Sequence, residues 1–323
     1  MVNIESIKAA EKRIRAYIRR TPVEYSHWLS AQTGADVYVK LENTQVTGSF
    51  KVRGALNAVL SARESESFKG VVAASTGNHG AGVAYAARVA ECPAIIFVPE
   101  FIDEAKLNGI KQRGARVIKQ GADCVDSEAA ARAYASGHGL DFISPYNDPR
   151  VVSGQGTIGL ELAHQVDELS VAYIAMGGGG LLSGIGSYLK ALTPPPTIVA
   201  CSPVNSCVMH ESLKAGQILD LPSEPTLSDS TAGGVEIGSI TFDLCRSVID
   251  QSITVSEDDI TNALIGIFTE HKTYIEGAAA VAVAGLLQDE ANIDGKTVIV
   301  VLCGSNLPLA RLQSIMAHGS PGR

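Results

Sequence analysis

No run in these 323 residues approaches the roughly 18 apolar residues of a membrane helix. The N-terminal stretch MVNIESIKAAEKRIRAYIRR also lacks an apolar core of signal-peptide length. Neither membrane insertion nor export is therefore expected. Positive charge is scarce: 26 Lys and Arg stand against 34 Asp and Glu, a net charge of −8. With a pI near 5.4 and no basic stripe, nucleic acid is excluded as a partner. The cysteines, Cys92, Cys124, Cys201, Cys207, Cys245 and Cys303, form no CxxC pair and no disulfide framework, so a reducing cytoplasm is the expected compartment. The histidines give no HExxH and no metal-ligand pairing. What the chain does have is 46% hydrophobic residues, enough over this length for two packed lobes.

The rest is organised around Thr47-Gly48-Ser49-Phe50-Lys51-Val52-Arg53-Gly54, which places a lysine where a glycine-containing loop turns into a helix. Ala55, Val59 and Leu60 continue at helical spacing. A lysine desolvated there is a candidate Schiff-base nucleophile and base. The octapeptide by itself fits a Lys/Arg pair on a solvated first turn equally well.

Residues 3–18 read as an amphipathic helix, broken at Thr21-Pro22, and Val37–Leu41 as a strand leading into the lysine loop. A helix over 50–62 and a charged linker, Arg63–Lys69, precede a regular alternation. Strands are predicted at Val71–Ala74, Ala94–Val98, Ala115–Ile118 and Asp141–Ile143, with helices over 79–90, 103–113 and 126–137 between them. Pro145 and Pro149 punctuate the end of this block. A second block has strands Val171–Met176, Thr197–Cys201 and Thr297–Leu302. Its helices are expected at 155–165, 181–192, 206–215, 241–249, 257–270 and 276–287, with a loop-rich stretch over 216–239. Short β-rich runs alternating with helices indicate parallel βαβ units.

Three further loops follow strands. Met176-Gly177-Gly178-Gly179-Gly180-Leu181-Leu182-Ser183-Gly184 joins a strand to a helix, and four consecutive glycines can wrap an anion with backbone N–H groups. It lacks the Gly-Lys-Ser/Thr ending of a P-loop. Ser75-Thr76-Gly77-Asn78-His79-Gly80-Ala81-Gly82 suits a small carboxylate. A dinucleotide reading, with Glu100 as the ribose acid, is disfavoured because glycines 77, 80 and 82 reverse the required spacing. Cys303-Gly304-Ser305-Asn306 closes the last strand, at the edge where open α/β sheets bind ligands. A lysine, a phosphate cup, a carboxylate cup and a polar turn together suit a small phosphorylated carbonyl cofactor.

With SFKVRG, STGNHG, SGQGT at 153–157, GGGGLLSG and IEGAAAVA at 275–282, the chain from about 20 to 306 resembles the fold-type II pyridoxal-phosphate serine/threonine dehydratases and serine racemases. The resemblance implies an α/β fold of the tryptophan synthase β type, two open, mostly parallel sheets with the cofactor between two lobes. Residues 1–62 and 148–323 would form the large, cofactor-binding domain and 68–147 the small substrate-side one. It implies that Lys51 carries the cofactor and takes the α proton, Phe50 lies against the ring and Asn78 bonds the ring hydroxyl. The amides of Gly177, Gly178, Gly179, Gly180 and Leu181 would hold the phosphate, and Ser75, Thr76, Gly77 and His79 the substrate carboxylate. Cys303 falls at the partner of the pyridine nitrogen, usually Ser or Thr, and Glu276 matches a glutamate near the ring. A thiol there leaves the ring a moderated electron sink, suited to β-hydroxyl elimination.

Three departures bear on this. The family's metal-binding segment corresponds to Ser202–Val208, where both acidic ligands are missing, so no metal is expected. The racemase's second-face serine corresponds to Thr76, a residue also associated with the hydroxyectoine-utilisation dehydratase branch. Ser144-Pro145, followed by Tyr146-Asn147-Asp148, stands where the family has His-Pro. The chain also ends soon after Cys303, leaving no regulatory domain, as expected of a catabolic or side-pathway enzyme. The expected activity is an ammonia-lyase acting on a small β-hydroxy-α-amino acid, L-threonine, L-serine or a relative, in a homodimer. The alternatives are an amino-acid racemase or β-replacement enzyme, and a non-catalytic cofactor-binding regulator.

Overall fold

The computed structural model describes residues 1–102, 104–122 and 124–318. Helix α1 (Ile4–Ile14) is opened by a capping box between Asn3 and Ser6, and a 3₁₀ turn at Arg15–Tyr17 completes the helix expected over 3–18. Strand β1 (Val23–Tyr25), helix α2 (His27–Thr33) and strand β2 (Asp36–Lys40) follow, and α3 (Lys51–Arg63) begins on the lysine itself. The first alternating block is β3 (Val71–Ala74), α4 (Asn78–Val89), β4 (Ala94–Val98), α5 (Glu104–Lys111), β5 (Arg116–Lys119), α6 (Cys124–His138) and β6 (Asp141–Phe142). The second is α7 (Pro149–Gln165), β7 (Val171–Ala175), α8 (Gly180–Leu189), β8 (Thr197–Pro203), α9 (Val208–Ala215), α10 (Ile240–Val248), β9 (Gln251–Val255), α11 (Glu257–Glu270), α12 (Gly277–Gln288), β10 (Thr297–Val301) and α13 (Leu309–His318).

The α/β expectation holds, with corrections. Helix α7 starts at Pro149 rather than 155, because Asp148 caps it by accepting the Arg150 N–H and proline suits the first helical position. Helix α9 starts at Val208 rather than 206, after a 3₁₀ turn at Val204–Ser206. The expected start of the 103–113 helix, Asp103, lies outside the described residues. Four elements were not foreseen: β1, α2, β9 and α13. Two are strands of only three and five residues without clean alternation.

Two sheets form. One runs β1-β2-β10-β7-β8-β9, parallel except for the β1–β2 pair, and the other runs β5-β4-β3-β6, all parallel. Strands β7 and β10 are buried along almost their whole length, as parallel strands covered on both faces must be. Helix α12 is apolar all round and buried from Gly277 to Leu286, which marks it as an internal layer of the larger sheet's core. Val52, Ala55, Leu56 and Val59 of α3 instead join Val71, Ala73, Val83 and Ile96 in the core of the four-stranded sheet. Helix α7 crosses α3 where glycines meet: a Cβ on Gly154 would lie 2.5 Å from Gly54 Cα. SGQGT therefore serves helix packing, and Gln155 Oε1 accepts the Gly54 N–H at 3.1 Å.

Strands β2, β10 and β7 are parallel neighbours, so the lysine loop, the Cys303–Asn306 turn and the glycine loop leave one sheet edge side by side. The Ser75–His79 loop approaches from β3 of the other sheet.

Candidate active site

A cavity of about 590 Å³ opens where Lys51, the Ser75–His79 loop and the Ser305–Asn306 turn meet. Lys51, Ser75, Thr76, Gly77, Asn78 and His79 line one part, and Pro145, Tyr146, Ser305 and Asn306 another. The lysine loop is zipped to the last turn. The Phe50 N–H donates to Cys303 O at 3.0 Å, the Ser305 N–H to Gly48 O at 2.8 Å, and Ser49 bridges Gly304. Gly48 takes φ +76°, a conformation that favours glycine at this bend.

Lys51 Nζ donates to Pro145 O at 3.0 Å and lies 5.3 Å from the centre of the Phe50 ring. Burial pulls its pKa down to about 8, against the raising influence of Cys303 and Glu276. Burial, with Glu276 next, holds the Cys303 thiol well above its ordinary value, so Cys303 is an uncharged thiol at neutral pH. An amine this close to neutrality is available as nucleophile and base. Glu276 is buried and pushed up by desolvation, while bonds from Asn78 and from the Asn306 amide pull the other way.

Asn78 Nδ2 donates to Glu276 Oε1 at 2.8 Å, and Asn306 Nδ2 donates to Asn78 Oδ1 at 2.5 Å. The Asn306 N–H donates to Glu276 Oε2 at 3.0 Å. Asn78 is thus fixed in orientation, with one N–H of Nδ2 left for a ligand. His79 is buried and its Nε2 bonds Ile143 O at 2.8 Å. Burial lowers its pKa to about 3, so the ring is neutral and its Nδ1 is a lone-pair acceptor. The side chain of His79 therefore turns towards β6, and what it offers the Ser75–His79 loop is its backbone N–H. Those first amides of α4 lie where no intrahelical acceptor exists. Gly77 precedes them, and a Cβ there would meet nothing within 4 Å.

The glycine loop is enclosed on its outer side. A Cβ on Gly177 would lie 2.6 Å from Thr231 O, and one on Gly178 would lie 2.7 Å from the Tyr146 ring. Gly179 caps α8 at φ +83°. The first amides of α8, including Gly180 and Leu181, again lack intrahelical acceptors, the ordinary anion-binding end of a helix.

Arg53 is not on a solvated turn: it is fully buried. Its guanidinium bonds both Glu42 oxygens at 2.7 and 2.8 Å, both Glu161 oxygens at 2.9 and 3.0 Å, and Thr157 at 3.1 Å. This anchors the first turn of α3 and with it Lys51. Sequence reasoning also missed the segment from Asp229 to Gly234, which lines the cavity from within the loop-rich stretch. Its only sequence signal is the Gly233-Gly234 pair. Among the described residues, no helix is long and apolar enough to cross a membrane.

Residues 14–304 match the family model described as pyridoxal-phosphate dependent enzyme. An L-threonine ammonia-lyase from Thermotoga maritima is 36% identical over 319 residues, which cover 99% of this chain and 79% of that protein. Maize serine racemase superposes with a TM-score of 0.91 at 32% identity, covering 98% of both chains. The threonine deaminase from T.th. does so with a TM-score of 0.88 at 35% identity, covering 95% of this chain and 99% of that one.

Proposed function

From its membership of the pyridoxal-phosphate-dependent enzyme family, shown by the match over 14–304, we propose how this chain works as an ammonia-lyase on L-threonine, L-serine or a close relative. The reaction removes the β-hydroxyl as water, and hydrolysis of the resulting enamine gives a 2-oxo acid and ammonia. The observation that carries this reading is Lys51: a desolvated amine at the start of α3, facing a cavity shared with the Ser75–His79 loop.

The residues fit the cofactor. The glycine loop leaves no room for side chains, Lys51 offers a near-neutral amine, and Cys303 is a buried thiol. Pyridoxal phosphate supplies the electron sink that stabilises negative charge at the α carbon. The amides from Gly177 to Leu181 would hold its phosphate. Lys51 Nζ would hold it covalently, Phe50 would support the ring, Asn78 would bond the ring hydroxyl, and Cys303 would partner the ring nitrogen. Glu276 keeps Asn78 and Asn306 in place. Ser75, Thr76, Gly77 and the His79 amide would receive the substrate carboxylate, and Lys51 Nζ would take the α proton. The small substrate-side lobe would be 68–147, which contains all four strands of the smaller sheet, against 1–62 and 148–323. A cytoplasmic homodimer completes the proposal, with a light-scattering mass of twice 33.8 kDa.

The test is release of 2-oxo acid from a panel of β-hydroxy amino acids. Turnover of threonine or serine supports the assignment, and silence across the panel from cofactor-loaded protein rejects it. Racemisation is the second reading, favoured by the likeness to maize serine racemase.

A further inference from the structure

The tripeptide Pro145-Tyr146-Asn147 touches Lys51, the glycine loop and the segment that leads into α10. Pro145 O accepts Lys51 Nζ at 3.0 Å. The Tyr146 ring lies against Gly178, and a Cβ on Gly180 would sit 3.0 Å from Tyr146 Cβ. The phenol oxygen accepts the Glu236 N–H at 3.0 Å. Glu236 Oε2 in turn takes Asn147 Nδ2 at 2.7 Å and Arg132 Nη2 at 3.1 Å, while Asn147 Oδ1 accepts the Ile240 N–H at 3.0 Å. Arg132 belongs to α6, against the smaller sheet, and is held 4.3 Å from the centre of the Phe142 ring. Glu236 follows the Asp229–Gly234 segment that walls the cavity and packs on Gly177 through Thr231.

We propose that Tyr146 is a positioning residue that links α6, through Arg132 and Glu236, to the glycine loop that holds the cofactor phosphate. This rests on the cofactor assignment above. Arg132 and Asn147 hold the Glu236 carboxylate, and the Glu236 backbone N–H holds the phenol oxygen, which keeps the ring against Gly178. The Arg132–Glu236 pair is partly exposed, 39% and 37% for the two side chains, so it answers to salt.

The test uses Tyr146→Phe, Arg132→Gln and the double variant, with cofactor-stripped protein titrated with pyridoxal phosphate, alongside KM, kcat and melting temperature. Tyr146→Phe should weaken cofactor binding by about tenfold, the scale of one lost hydrogen bond, and Arg132→Gln by about two- to fivefold, the scale of an exposed pair. The double variant should be no weaker than Tyr146→Phe alone, since both break the same link. High salt should move the wild-type affinity towards that of Arg132→Gln and leave Arg132→Gln itself little changed. Additive effects, or a lower melting temperature with unchanged cofactor affinity, would overturn the coupling while the cofactor assignment stands. A wild-type protein that does not bind the cofactor would overturn both.

Discussion

Replacing Arg53 by methionine tests whether the start of α3 is held electrostatically. All five guanidinium N–H groups are used, on Glu42, Glu161 and Thr157. Lys40, also fully buried, donates to Glu161 Oε2 at 2.5 Å. Two buried cations thus face two buried carboxylates, Arg15 adds a further contact to Glu161 at 2.8 Å, and Arg53→Met leaves Glu42 without its paired cation. Removing one partner of such a cluster costs about 3–5 kcal/mol. Burial alone would raise the Glu161 carboxyl, but Arg53 and Lys40 outweigh it and hold its pKa below the ordinary value. Its favourable contribution is therefore present above the ordinary carboxylate range and is lost as pH falls. In the variant Glu161 loses its main stabiliser and accepts a proton more readily, so the deficit should be largest near neutral pH and shrink on acidification. Urea unfolding of wild type and Arg53→Met at several pH values reads this directly. A deficit below about 1 kcal/mol at neutral pH, the scale of an exposed pair, would refute the reasoning, as would one that grows as pH falls.

Three other outcomes are expected. Cys303→Ser should keep activity, because either group is a neutral partner for the ring nitrogen, whereas Cys303→Asp should lower elimination by about tenfold or more by burying a charge there; equal rates in the Asp variant would remove Cys303 from that role. In cofactor-free protein, Lys51 sits at about 8 when folded and near 10.4 when unfolded, so the folded chain binds fewer protons between those values. Stability rises with pH across that window, and Lys51→Met should melt higher than wild type at pH 7, with a gain that fades towards pH 10; a lower melting temperature at pH 7 would contradict this. With the best L-substrate, elimination should exceed racemisation by at least about tenfold, because the Thr76 β-branch restricts the hydroxyl and a misplacement of about 1 Å costs ~100-fold. Chiral chromatography should show a larger D-share for Thr76→Ser, and rapid D-product from wild type would favour the racemase instead.

The site's backbone was legible because each part is a short loop between a strand and a helix. Glycines, lysine and polar residues at such junctions carry their chemistry in sequence order, and parallel strands bring the junctions to one edge. What was not legible depends on distant partners. Arg53 looks like a surface charge until Glu42 and Glu161, 11 and 108 positions away, neutralise it. Pro149 reads as a breaker unless Asp148 is recognised as a cap. The Asp229–Glu236 segment has no periodicity, and its place over the glycine loop is set by Tyr146, Asn147 and Arg132.

Lys51 is the residue on which the whole site depends. Purified protein loaded with pyridoxal phosphate, reduced with borohydride, digested and mapped by mass spectrometry should carry the reduced cofactor on the peptide containing Lys51, and Lys51→Ala should show neither label nor turnover. A label on any other lysine, or one retained in Lys51→Ala, would contradict the assignment of the whole site.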